Sequence, residues 1–151
     1  MKKILIILLG FFTALNNLFA PVFKKQQINV FYQPLLKPFK VTQKYGEFHN
    51  GTDLITFNKD KKVRNIQTCI IKGIYETVNY TPLVNCKNEY YDFYYLHISL
   101  DPYLKENMEI KMGEILGNYN NKGLSQGDHI HIIIIRNSDK TVLNPEKIIK
   151  L

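Results

Sequence analysis

The run His129-Ile130-His131-Ile132-Ile133-Ile134-Ile135-Arg136 constrains this chain more than any other stretch of its sequence. Isoleucine is stiff at χ1 and fits a pleated surface, so the run reads as a strand. In a strand, side chains two apart point to the same face. His129 and His131 then look into one site while Ile130 and Ile132 face the other way. Two histidines on a sheet face could simply be satisfied by hydrogen bonds, or they could serve one centre.

The rest of the chain is also mostly of β type. Val41 to Tyr45 and Gly51 to Phe57 are strand candidates, as are Val63 to Glu76, Tyr80 to Val84 and the aromatic Tyr90 to Ile98. Met108 to Leu116 is interrupted by Gly113, and Gly117 to Gly127 reads as a loop rich in Gly and Asn. Leu143-Asn144-Pro145 begins a short closing segment, and Pro21, Pro34 and Pro38 make residues 21–40 an extended lead-in. The expected fold is a single, mostly antiparallel β domain with few short helices, occupying residues 41–151.

The first twenty residues have the outline of an export signal. Met1-Lys2-Lys3 is basic and Ile4 to Leu15 is apolar. Ala20 is the natural cleavage residue, but Pro21 follows it, so residues 1–20 are either a cleaved signal or an N-terminal anchor. The formal charge is +7, and removing Lys2 and Lys3 leaves +5. The lysines are scattered rather than set in a stripe with interleaved aromatics, which argues against nucleic acid as a partner. Cys69 and Cys86 would form a disulfide across a hairpin in an exported chain, or remain two reduced core cysteines.

All four histidines fall into three patterns of metal-site type: His49 and Asp53 in an HxGxD string, His97 behind a tyrosine-rich strand, and the pair His129 and His131. Two imidazoles and a carboxylate are ligands of the kind zinc takes, leaving a fourth position for water. Alone, HxGxD could equally be a structural turn, and a lone His behind aromatics could be a packed residue.

Four blocks together carry a more specific likeness. Gln43-Lys44-Tyr45-Gly46 with His49-Asn50-Gly51-Thr52-Asp53-Leu54, then Tyr95-Leu96-His97-Ile98-Ser99, then Gly113-Glu114-Ile115-Leu116-Gly117, then Gly123 to His131 occur in that order. They resemble the lysostaphin-type zinc endopeptidases of bacterial cell walls, the M23 family with its LytM domains, from about Val41 to Pro145. The resemblance implies a LytM-type β fold, related to the duplicated hybrid motif. It implies zinc held by His49, Asp53 and His131, and a catalytic pair, His97 and His129, acting on a zinc-activated water. Which of the pair is the base and which the electrostatic helper stays open.

It further implies an exported monomer in the periplasm, cell envelope or outside the cell, cutting peptidoglycan stem or cross-bridge peptides. The bond is either in a glycine bridge or in a D-amino-acid cross-link. Membrane contact would come only through an uncleaved N-terminus. The alternative is a non-catalytic LytM-like activator or partner of a cell-wall amidase. Three departures stand out: Asp128 replaces the usual Pro before the HxH, Asn120 stands where Gly is common, and no tyrosine is clearly placed at the oxyanion, with Tyr45 and Tyr95 the candidates. Residues 21–40 either run across the site or lie apart from it.

Overall fold

A computed structural model describes residues 30–151; the expected signal or anchor of residues 1–20 and the first residues of the lead-in lie outside the described residues. The strands are β1 (Phe39–Gln43), β2 (Thr52–Thr56), β3 (Lys62–Arg64), β4 (Cys69–Glu76), β5 (Pro82–Lys87), β6 (Tyr91–Leu96), β7 (Ile98–Leu100), β8 (Glu109–Ile110), β9 (Ile115–Tyr119), β10 (Ile130–Arg136) and β11 (Val142–Leu143). One short helix, α1 (Pro145–Ile149), closes the chain. The isoleucine run is β10, as its composition predicts. It lies inside an antiparallel sheet of order β1-β2-β10-β6-β5-β4-β8, with β11 also paired to β10.

Alternation explains why β10 sits there. Ile130, Ile132 and Ile134 are fully buried on one face, together with Leu54 of β2, Phe93 and Tyr95 of β6 and Val84 of β5. A second sheet, β3-β9-β7, adds Val63, Leu116 and Ile98 to the same core. Burying one face of each sheet against the other leaves the opposite face of β10, with His131, free to line a cleft.

Several elements differ from the expected boundaries: β9 runs to Tyr119, into the expected Gly117–Gly127 loop, and β5 runs to Lys87 rather than ending at Val84. Val63 to Glu76 is two strands, β3 and β4, in different sheets. The buried amide of Asn65 fills the gap, donating to the Gln67 carbonyl at 2.7 Å and the Ile110 carbonyl at 3.0 Å. The aromatic strand stops at Leu96, because His97 has φ +60° and the chain crosses there to β7 of the smaller sheet. The described part of the lead-in is stitched to the domain: Tyr32 N–H donates to the Ile66 carbonyl, and Leu35 is in the core. None of residues 30–40 contributes to the cleft lining.

Cys69 and Cys86 are joined by a disulfide, with Cα atoms 5.7 Å apart, tying β4 to β5 within the core. The bridge closes a loop with a sequence separation of 17, for which loop-closure entropy contributes about 3 kcal/mol. The Cys69→Ala/Cys86→Ala protein is expected to lose about that much stability. Urea unfolding with and without reductant checks this: reductant shifts the midpoint of the parent protein and leaves that of the double variant in place.

Candidate metal centre

Strand register brings the site together before any side chain acts. On β10, His131 stands opposite Asp53 of β2 on one side and opposite Leu96 of β6 on the other. Directly opposed residues share a face, so the Asp53 carboxylate and the His131 imidazole must meet. His97 follows Leu96 at the end of β6, and His129 forms a bridge with Asn120 just before β10. His49 arrives by a tight turn in which Gly46 N–H donates to the His49 carbonyl at 2.9 Å and the reverse bond is 3.2 Å. Gly51 lets that turn lie against β10: a Cβ there would stand 2.5 Å from the Ile132 carbonyl oxygen and 2.6 Å from His131 Nε2.

The three sequence-predicted ligands converge. His131 Nδ1 is 2.7 Å from Asp53 Oδ1 and 3.1 Å from His49 Nε2, and His49 Nε2 is 3.3 Å from Asp53 Oδ1. Donor atoms placed tetrahedrally around zinc lie about 3.4 Å apart. The cluster is thus a slightly contracted version of such a set, and its two nitrogens and one oxygen fit the ion's chemistry.

Carbonyl oxygens can only accept, and this fixes the tautomers of the neutral rings. His49 Nδ1 donates to the Lys44 carbonyl at 2.9 Å, His97 Nδ1 to that of Lys122 at 2.8 Å, and His129 Nδ1 to that of Gly127 at 2.8 Å. Each ring keeps its Nε2 lone pair. His131 is turned the other way, with Nδ1 facing two acceptors, so one proton fills the space on which three lone pairs would otherwise converge. His97 and His129 stand side by side, ring centroids 4.4 Å apart, and His129 Nε2 is 3.8 Å from Asp53 Oδ2.

The electrostatics follow from this enclosure. Burial by itself raises the Asp53 pKa, but the hydrogen bond from His131 and the fields of His131, His129 and His49 outweigh it and hold the carboxyl below its ordinary value. His97 is pushed below the ordinary imidazole range, chiefly by burial, with His129 and His131 adding to the effect. It is therefore neutral at neutral pH and free to accept a proton.

A cleft of about 1070 Å³ opens over the cluster, with Thr42 and Gln43 on one flank and Thr77, Thr81, Leu124 and Gln126 on the other. Gly123, at φ +84°, lets the loop that carries the Lys122 carbonyl close onto Thr81, whose hydroxyl accepts from Leu124 N–H at 3.2 Å. Thr81 and the carbonyls of Lys44, Lys122 and Gly127 were not singled out from sequence. Backbone acceptors leave no compositional mark; only the glycines beside them do.

Two oxyanion candidates are corrected. The Tyr95 hydroxyl lies in the core, donating to Asn65 Oδ1 and accepting from Ile66 N–H, both at 3.0 Å. The Tyr45 hydroxyl donates to the Val142 carbonyl at 3.4 Å, and neither tyrosine lines the cleft. Asp128, in place of the usual proline, forms an exposed ion pair with Lys61.

Two outcomes follow from this geometry. Gly51→Ala should lose stability and bind metal about tenfold more weakly or worse, because its methyl meets the Ile132 carbonyl oxygen of β10 as well as the His131 ring; circular dichroism melts and isothermal titration check the two halves. In metal-free protein, His97 binds fewer protons folded than unfolded between its lowered pKa and the ordinary 6.5. Stability should therefore fall as pH drops below 6.5, and His97→Gln should flatten part of that slope in thermal melts recorded across the range.

No family model and no curated protein matches the sequence. The fold does match solved structures. The catalytic domain of the antimicrobial peptidase lysostaphin from Staphylococcus simulans aligns with a TM-score of 0.64 at 23% identity, over 75% of this chain and 93% of that one. A zinc-containing peptidase from Vibrio cholerae gives 0.66 at 18% identity, over 78% of this chain, which spans only 38% of that longer protein. A chain of the SpoIIIAH and SpoIIQ complex gives 0.65 at 17%, covering 78% and 98%. The described domain therefore has the lysostaphin-type fold of the M23 peptidases.

Proposed function

We propose that this protein is an exported zinc endopeptidase that hydrolyses peptide cross-links of bacterial peptidoglycan. The observation that carries the proposal is the convergence of five side chains at one end of the sheet. The donor atoms of His49, Asp53 and His131 all lie within 4.8 Å of one another, and the His97–His129 pair stands beside them in an open cleft. The substrate class draws on the likeness to lysostaphin and to the cell-wall endopeptidase motifs. Export draws on the basic and apolar character of residues 1–20.

His49, Asp53 and His131 would hold the ion. Zinc, when bound, supplies Lewis acidity toward a peptide carbonyl and lowers the pKa of a water. The chain's own residues do the rest. The carbonyls of Lys44, Lys122 and Gly127 keep Nδ1 of His49, His97 and His129 protonated, so Nε2 of each is a lone pair. Burial keeps His97 neutral, which suits it to take a proton and return it to the leaving amine. His129, 3.8 Å from Asp53 through Nε2, is oriented by Gly127 and by Ser125 Oγ at 3.3 Å.

The same fold in a chain of a two-protein complex supports a second reading, in which the domain acts by binding a partner. One experiment separates the two: zinc content and release of muropeptides from purified walls, for the parent protein, His131→Ala and His97→Ala. A peptidase holds about one zinc and releases cleaved cross-links. His131→Ala should lose both properties. His97→Ala should keep zinc while release falls by about 10²-fold or more. Zinc binding with intact walls favours the binding role, and no zinc binding by the parent protein sinks the proposal.

A further inference from the structure

Behind the cluster, outside the cleft lining, lies a carboxylate whose contacts reach both halves of the His49–Asp53 turn. Glu146 Oε1 accepts Tyr45 N–H at 3.0 Å and the Thr52 hydroxyl at 3.2 Å. Tyr45 N–H and the Lys44 carbonyl are the two ends of one planar trans peptide, so they point in opposite directions. Glu146 holds the amide end, and the carbonyl end accepts His49 Nδ1–H at 2.9 Å. Carboxylate, peptide and imidazole thus form a single line of hydrogen bonds that ends on His49 Nε2. The second contact holds Thr52, a fully buried residue next to Asp53.

The C-terminal segment delivers this carboxylate to a defined place. β11 pairs with β10 through Leu143 opposite Ile134, which brings the chain back beside the sheet. Asn144 caps α1 by accepting from Lys147 N–H, Pro145 opens the helix, and Glu146 sits in its first turn, where an acidic side chain is favoured. Ile149 anchors the other end in the core, and its carbonyl accepts from Gln33 Nε2 at 3.2 Å. The Tyr45 hydroxyl, bonded to the Val142 carbonyl, ties the same two segments together a second time.

We propose that Glu146 is a positioning residue of the metal centre. Through the Lys44–Tyr45 peptide it orients His49 and fixes which nitrogen faces the site, and through Thr52 it holds Asp53 in register; this rests on reading His49, Asp53 and His131 as metal ligands. The physical basis is a chain of hydrogen bonds: an acceptor fixed at one end sets the plane of the Lys44–Tyr45 peptide, and its carbonyl sets the ring at the other end. Groups standing behind a ligating histidine commonly account for about 10- to 100-fold in metal affinity.

The test compares the purified full chain with Glu146→Ala, Glu146→Gln and Glu146→Asp, using two readouts. Zinc affinity is measured by competition with a chromophoric chelator, and the His49 tautomer in metal-free protein by long-range ¹H–¹⁵N correlation spectra. Glu146→Ala should weaken zinc about tenfold or more and mix the His49 tautomers. Glutamine keeps the length and the acceptor, so Glu146→Gln should stay within about threefold of the parent. Aspartate keeps the charge but withdraws the acceptor, so Glu146→Asp should behave like Glu146→Ala, and it carries the test if the alanine variant does not fold. The proposal is overturned if Glu146→Asp matches the parent in both readouts, or if Glu146→Gln is as impaired as Glu146→Asp. Should the parent itself bind no zinc, the ligand reading fails, while the His49 tautomer still decides the role of Glu146.

Discussion

His131 is paired on both sides, with Asp53 across one strand boundary and Leu96 across the other, and the site hangs on that double register. Because the side-chain period of a strand is two, slipping β10 by one residue would turn His131 into the core and bring Ile130 or Ile132 to the cleft. The slip is resisted by the core: Ile130, Ile132 and Ile134 interlock with Leu54, Phe93 and Tyr95, and moving them out would expose a row of isoleucines to water. Packing energy on one face of β10 thereby sets the geometry of polar groups on the other. A buried carboxylate beside three imidazoles needs that kind of external support, since desolvation alone pushes its pKa up.

Register places the strand residues but leaves three histidines on loops or strand ends, and each of these is fixed by a main-chain carbonyl. An imidazole has two chemically different nitrogens, and rotation of the ring exchanges them. Binding Nδ1 of His49, His97 and His129 to carbonyls at 2.8–2.9 Å removes that ambiguity three times over. Two of the three segments involved rest on close backbone approaches that only glycine allows: Gly51 sets the His49 turn against β10, and Gly123 sets the Lys122 loop against Thr81. The glycines of this site therefore serve histidine orientation as much as chain flexibility.

These dependencies explain what could be read from the sequence. The isoleucine run gave β10, its two faces and the side on which His131 lies, because alternation is a local property. The five side chains of the cluster were legible through four ordered blocks that together resemble the M23 peptidases, since each of those motifs alone is open to a structural reading. The split of Val63 to Glu76 was not, since it depends on Asn65 bonding to Ile110 across 45 positions of sequence. The tyrosine candidates failed for the same reason: the hydroxyl of Tyr95 was already taken by Asn65 and Ile66. Glu146 lay beyond the recognised motifs, and its partner is an amide N–H that any non-proline residue would supply.

His97 joins these levels at one residue. A strand cannot continue through φ +60°, so the conformation that ends β6 also throws the chain into the second sheet as β7. The same turn leaves His97 N–H on the Pro82 carbonyl at 2.9 Å and its own carbonyl accepting from Asn120 N–H at 2.7 Å. The imidazole is thus held by the crossover between layers, and a non-glycine residue in the left-handed region carries a cost that the surrounding hydrogen bonds must offset. Glycine would relieve that cost and lose the ring. A histidine at this corner, where glycine would be free of that cost, fits the role proposed for the ring.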